Sequence, residues 1–181
     1  MKKNWIAFFS QTGSEIVDIA KSLDKWPDII ITNKRPKNLR EINPELEGKV
    51  VFVENKPTEK ELRLLLSQFS EPIITLHGWL RIMPPSICDE YSIFNGHPGL
   101  ITDFPELKGK DPQIRAFKGI KEGKYEYAGA VLHKVVAGVD EGKVITEERF
   151  NVFQVELDEL FHILRDRSLF MWINFLKKVL W

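Results

Sequence analysis

Apolar residues fall along this chain in two alternating rhythms. Continuous runs rich in β-branched and aromatic side chains occur at Trp5 to Phe9, Asp28 to Thr32, Val50 to Val53, Pro72 to Leu76 and Ser92 to Asn95. Runs this short, without polar alternation, are the pattern of strands buried on both faces in a parallel sheet. Between them the spacing becomes helical, with Ile16, Ile19, Ala20 and Leu23 on one face and Leu62, Leu65, Leu66 and Phe69 on another. Strand and helix taking turns over the first hundred residues predict a βαβ array. The expected fold class is α/β, with a Rossmann-like, mostly parallel sheet and helices on both faces.

The rhythm changes after residue 100. Ile101 to Lys110 is apolar only at intervals and reads as an exposed loop. Asp111-Pro112 supplies an N-cap residue followed by proline at the first helical position, predicting a helix through Ala116 and Phe117 toward Gly119 or Lys121. Tyr127 to Val136 and Val144 to Val152 read as two strands, antiparallel about the Gly138 to Gly142 turn. A stripe at Leu157, Leu160, Phe161, Leu164, Met171, Trp172, Phe175 and Val179, interrupted by Ser168, predicts a closing helix. Trp172 and Phe175 read as core. With no internal repeat, low-complexity segment or linker, the expectation is one domain over residues 1–181. It comprises a Rossmann-like part over about 1–100 and, over about 101–181, a loop, a strand pair and a C-terminal helix.

Composition narrows the function classes. The chain has 181 residues, 43% apolar and 29% charged, with 26 basic and 26 acidic side chains and no net charge. No strong field favours a polyanion, so neither nucleic acid nor an anionic membrane is expected as the main partner. Cys88 is the single cysteine, which excludes an internal disulfide and leaves packing as its expected role. The basic start, Met1-Lys2-Lys3-Asn4, precedes an apolar run that stops at Ser10, too short for a signal-peptide core or a membrane span. A cytoplasmic location is expected.

Chemistry concentrates at two places. Asn95-Gly96-His97-Pro98 lies at the end of a predicted strand, where open α/β sheets place their ligands. Two residues apart in extended backbone, Asn95 and His97 leave on the same side. The Asn amide can donate to an oxyanion, and the imidazole can do so when protonated or shuttle a proton when neutral. A carboxylate nearby would orient the imidazole and raise its pKa, and Asp140 in the Gly-flanked turn Val139-Asp140-Glu141-Gly142 is the candidate. Residue types alone also allow a plainer reading, since Asn-Gly is a favoured turn pair and Val-Asp-Glu-Gly is common hairpin chemistry. A further candidate is Ser10-Gln11-Thr12-Gly13-Ser14-Glu15, between strand and helix. Amides at such a helix start favour an anion, but Thr12 and Glu15 can instead form a capping box that uses the same donors. One glycine there does not make the dinucleotide pattern, so no nicotinamide cofactor is expected.

Asn95-Gly96-His97-Pro98-Gly99-Leu100, Gly129-Ala130-Val131-Leu132-His133 and Val139-Asp140-Glu141-Gly142-Lys143-Val144-Ile145 together resemble, in order and separation, the active-site motifs of the folate-dependent formyltransferase family. Gly78-Trp79-Leu80-Arg81-Ile82-Met83 is similar to that family's folate-binding segment, and Thr32-Asn33-Lys34 to its segment after the second strand. The likeness runs from about Ser10 to beyond Asp140, and is greatest to the branch acting on glycinamide ribonucleotide in purine synthesis. It implies transfer of a formyl group from 10-formyltetrahydrofolate, the co-substrate, to that ribonucleotide's primary amine. Asn95 and His97 would bind the formyl oxygen as it becomes tetrahedral, Asp140 would pair with His97 or a proton-relaying water, and His133 would support them. Arg81, Ile82 and Met83, with Val135 and Val136, would hold the folate, while Thr12, Gly13 and Ser14 would hold the substrate phosphate. Trp79 is expected in the core. No metal is implied, and His77, His97, His133 and His162 show no His-x-x-x-His spacing.

Departures from the family pattern gather on the acceptor side. Gln11-Thr12-Gly13-Ser14 keeps only the last two residues of a Gly-Asn-Gly-Ser turn, Lys108-Gly109-Lys110-Asp111-Pro112 replaces a His-Thr-His stretch, and Asp166 is the nearest counterpart of a ribose-binding Glu. The alternatives are therefore the same transfer to another small amine, such as a nucleotide-linked amino sugar, or a folate- or nucleotide-binding module without catalysis. Methionyl-tRNA is disfavoured as acceptor, in keeping with the neutral charge. A monomer and a homodimer are both compatible with the sequence.

Overall fold

The structure is a computed structural model that describes residues 3–34 and 41–181, so Met1 and Lys2 of the basic start lie outside it. The elements run β1 (Trp5–Phe9), α1 (Ser14–Leu23), β2 (Ile29–Thr32), β3 (Val50–Phe52), α2 (Glu59–Leu66), β4 (Ile73–Leu76), α3 (Pro85–Glu90), β5 (Ser92–His97), α4 (Pro112–Lys121), β6 (Tyr127–Lys134), β7 (Val144–Asn151) and α5 (Leu157–Leu180). The strands form one sheet in the order β3-β2-β1-β4-β5-β6-β7. β1 to β5 are mutually parallel, β6 returns antiparallel to β5, and β7 is antiparallel to β6. The expected α/β architecture is thus present, with its antiparallel strand pair and closing helix.

Alternation in β1 explains the two layers. Trp5, Ala7 and Phe9 point to one face and pack with α1 and α5 through Ile16, Ile19, Trp172 and Leu176. Ile6 and Phe8 point to the other and pack with α2 and α3 through Leu62, Leu66, Ile87 and the free, buried Cys88. A strand covered twice must be apolar throughout, which is why these runs were continuous. Trp79 is buried edge-on to Phe8, with ring centroids 5.2 Å apart. Among the described residues no helix is long and apolar enough to cross a membrane.

Three local expectations are corrected. Asn95-Gly96 does not turn: β5 continues through His97, because both residues pair with β6. The stretch from Ile101 to Lys110 is an exposed loop only in part: Thr102, Pro105, Glu106, Lys108 and Lys110 are exposed, whereas Ile101 and Leu107 are buried in the cluster with Tyr125 and Val131. α4 does begin at Pro112, but Asp111 takes a left-handed conformation (φ +51°) and its side chain makes no capping bond.

Candidate active site

Register brings the first two candidates together. In the β5–β6 ladder Asn95 lies directly opposite His133, and His97 opposite Val131, so Asn95, His97 and His133 occupy one face of the strand pair. Asp140 reaches them from the β6–β7 connection, held in a left-handed conformation at φ +52°. Its carboxylate bridges the two rings, with Oδ2 3.3 Å from His97 Nδ1 and Oδ1 3.3 Å from His133 Nε2. The Gly109 amide donates to Oδ2 at 2.8 Å. Asn95 Nδ2 is 3.2 Å from His133 Nε2.

Backbone carbonyls fix the tautomers, because a carbonyl can only accept. His97 Nε2 donates to Leu107 O at 2.9 Å, and His133 Nδ1 donates to Lys134 O at 3.0 Å. The single proton of each neutral ring is therefore committed to the backbone. Each ring turns its bare nitrogen toward Asp140, and any additional proton on a ring lies between that nitrogen and the carboxylate.

Electrostatics follow from burial. His97 is 5% exposed, and that burial holds its pKa below the ordinary imidazole range, against the opposing pull of Asp140 and the Leu107 carbonyl. The expected rise is therefore corrected: one carboxylate does not offset the loss of solvent around this ring. Burial alone would raise the Asp140 carboxyl. The neighbouring His133 and His97, each able to carry a proton toward it, and the Gly109 amide outweigh it and keep the group below the usual carboxylate range.

These groups line one end of a cleft of about 630 Å³. Arg81, Ile82, Met83, Val135 and Val136 line the same cleft. Ile82 is 72% exposed, whereas Met83 is buried in the core beneath. Arg81 is not a free surface charge: Nε and Nη2 donate to the Asn55 backbone and side-chain oxygens at 2.7 and 2.6 Å. Trp79, although packed in the core, also contributes to the wall. Among the described residues no group of three or more His, Cys, Asp or Glu side chains is arranged to hold a metal ion.

Thr12, Gly13 and Ser14 form the β1–α1 turn beside the cleft, whose wall takes in their neighbour Gln11. Gly13 has φ +73°, a conformation that favours glycine, and a Cβ there would sit 2.4 Å from a Leu46 methyl that would have to shift. Thr12 Oγ1 accepts the Ser14 amide at 3.3 Å. The capping box does not form, because Glu15 is used elsewhere. It accepts from His77 Nδ1 at 2.7 Å and from the Ser168 hydroxyl at 2.6 Å. His77 Nε2 lies 2.9 Å from Thr75 Oγ1, which accepts the Trp5 indole N–H at 2.8 Å. Sequence reasoning missed this partly buried network because its members are 62 and 153 residues from Glu15, with no local signature. Asp166 is exposed on α5.

The chain is 31% identical over 121 residues to phosphoribosylglycinamide formyltransferase of Dictyostelium discoideum, covering 60% of this chain and 57% of that protein. It is 26% identical over 136 residues to the Schizosaccharomyces pombe protein of the same name, covering 70% and 64%. The matches thus span less than two thirds of either relative. The fold is shared with the crystal structure of phosphoribosylglycinamide formyltransferase from Anaplasma phagocytophilum, with a TM-score of 0.81 at 21% identity over 98% of this chain and 86% of that one. The formyl transferase family model matches residues 6–166, from Ile6 in the first strand to Asp166 in the closing helix. That span takes in Asn95, His97, His133 and Asp140 together with the cleft they line, and the chain belongs to the formyl transferase family.

Proposed function

We propose that this protein transfers the formyl group of 10-formyltetrahydrofolate to the primary amine of glycinamide ribonucleotide, a step of purine synthesis. The observation that carries this reading is the meeting of Asn95, His97, His133 and Asp140 at one end of a cleft in a formyl transferase chain. Support for the acceptor comes from the two relatives named phosphoribosylglycinamide formyltransferase.

The cleft fits a folate. Its volume lies within the range of about 300 to 1,000 Å³ that small-molecule sites occupy. Ile82, Met83, Val135 and Val136 offer apolar walls, and Arg81, fixed by Asn55, stands at its rim. The folate supplies an electrophilic formyl carbon, and the protein's part is to place the amine and manage charge and protons. The Asn95 amide donates to the formyl oxygen as negative charge develops there. His97 Nδ1, bare and facing Asp140, accepts the proton that the attacking amine gives up, directly or through a water. Asp140 stabilises the resulting imidazolium, which gives the proton on to N10 of the folate as the bond between that nitrogen and the formyl carbon breaks and tetrahydrofolate leaves, while His133 flanks the other carboxylate oxygen. Thr12, Gly13 and Ser14 hold the acceptor's phosphate at the start of α1. No metal takes part in this scheme, and the reaction takes place in the cytoplasm.

Release of tetrahydrofolate from 10-formyltetrahydrofolate, measured with and without glycinamide ribonucleotide, tests the reading. Turnover that requires the ribonucleotide is expected. Turnover with other amines but not this one would move the function to a different acceptor, and tight folate binding without turnover on any amine would leave a binding module.

A further inference from the structure

Two backbone groups entering the cluster come from one short segment, and that segment is gripped from outside. Residues 104–109 form a strap between the end of β5 and α4, with Phe104 stacked on Tyr125 at 4.1 Å and a 3-10 turn at Pro105–Leu107. From this strap the Leu107 carbonyl takes the His97 Nε2 proton and the Gly109 amide meets Asp140. Three successive strap carbonyls also meet Arg115 on α4. Its guanidinium donates from Nη1 to Glu106 O, and from Nη2 to Leu107 O at 3.1 Å and Lys108 O at 2.7 Å. Leu107 O is thus shared between Arg115 and His97. Arg115 is not among the residues that line the cleft.

We propose that Arg115 is a positioning residue for the formyl-transfer site: by gripping the carbonyls of residues 106–108 it fixes the ring and tautomer of His97 and the carboxylate of Asp140. The proposal rests on the reading of the site given above. A planar fork with five donors spans three carbonyls, which the single ammonium of lysine cannot match. Were the strap to lift, His97 would lose the acceptor that pins its proton on Nε2. Nδ1 could then be the protonated nitrogen, leaving only Nε2 bare, on the side of the ring away from Asp140. Asp140 would lose its Gly109 donor in the same movement. Lifting would also admit water to the ring. The charged and titratable groups facing His97 are Asp140 from the β6–β7 connection, His133 from β6 and Arg115 from α4.

The test compares wild type, Arg115→Met and Arg115→Lys by three readouts. These are kcat and KM for formyl transfer, the His97 titration followed by NMR, and hydrogen exchange at the Gly109 amide. Circular dichroism and thermal melting establish that each variant folds. Arg115→Met is expected to lower kcat about tenfold or more with KM for the folate little changed, the scale of a misplaced catalytic group. His97 should titrate nearer the ordinary imidazole range, Gly109 should exchange faster, and Arg115→Lys should recover only part of each loss. A folded Arg115→Met with unchanged His97 titration and Gly109 exchange overturns the proposal. So does a kcat that rises, which would make the strap a block on His97. If wild type transfers formyl to no amine, the functional reading fails on its own. Titration and exchange then still decide the positioning claim, because neither needs turnover.

Discussion

Leu107 and Lys134 each present a carbonyl to one histidine, so the neutral rings turn bare nitrogens toward Asp140 and the cluster is poised to take up a proton. Two replacements probe that arrangement. Asp140→Asn keeps the shape of the side chain but removes the charge that stabilises a protonated His97, and His97→Ala removes the acceptor. Each should lower turnover about a hundredfold or more with the fold retained, the scale found for proton-transfer and oxyanion groups. Losses below about threefold in both would remove these residues from the chemistry. The pH dependence follows in sign from burial. With its pKa depressed, His97 stays neutral below about pH 6.5, the ordinary value. The rate should therefore hold through neutrality and fall only on the acid side of that value. An acid limb centred above about pH 7 would show the opposite shift.

Between elements, one glutamate ties three pieces of the fold together. Glu15 on α1 binds His77 just past β4 and Ser168 on α5, the helix whose Trp172 stacks on His77 at 4.6 Å. Burial would raise the Glu15 pKa, but the His77 and Ser168 hydrogen bonds and the nearby charges of His77 and Arg165 outweigh it, and the carboxyl titrates below its ordinary value. A depressed carboxyl pKa gives stability that is full above the unfolded-state value and is lost as pH falls through the folded-state value. Glu15→Gln should therefore cost about 1.5 to 3 kcal/mol at neutral pH, the range for hydrogen bonds to charged groups. That deficit should shrink as the carboxylate of the wild type is protonated. Urea unfolding at a series of pH values reads this directly, and a deficit constant down to about pH 3 would deny Glu15 its ionic part. Gly96 matters to the same helix. A Cβ there would lie 2.8 Å from the Trp172 indole nitrogen and 3.5 Å from the Ser168 hydroxyl. Gly96→Ala should push β5 and α5 apart and cost about 1 to 3 kcal/mol, the scale of overpacking, as measured by the shift in the unfolding midpoint. Activity should fall with it, because Asn95 and His97 flank the displaced residue.

Across the whole molecule, what could be read from sequence divides along physical lines. The parallel strands were legible because burial on both faces leaves an uninterrupted apolar run, and α1 and α5 because one apolar stripe faces the sheet. The segment after β5 is hard to read because its buried residues, Leu100, Ile101 and Leu107, follow neither period. The capping box at Thr12 does not form because Glu15 is claimed by His77 and Ser168 from far along the chain, and Asp111 does not cap because its backbone is left-handed, neither of which local residue types reveal. Asn95 and His97 were visible as a pair two residues apart, whereas their meeting with His133 and Asp140 depends on how β6 aligns with β5. β1 and β4 lie inside the sheet with helices on both faces, so their amides should exchange most slowly, with β3 and β7 opening earlier at the edges. Faster exchange in β4 than in β7 would contradict that order. The alignment of Asn95 with His133 also grades how the chain tolerates changes in length. Successive strand residues face opposite ways, so one residue inserted between Tyr127 and His133 would carry the histidine through the sheet to the far side, while two would return it to the near side but out of step with Asn95. Extra residues in the turn after α4 leave that parity untouched. β7 already carries one odd residue, Ile145, where its pairing with β6 slips beside His133, and the active face of β6 is unmoved by it. Length can therefore vary in the turn after α4, but within the one strand that presents His133 a single added residue would take the histidine off the active face.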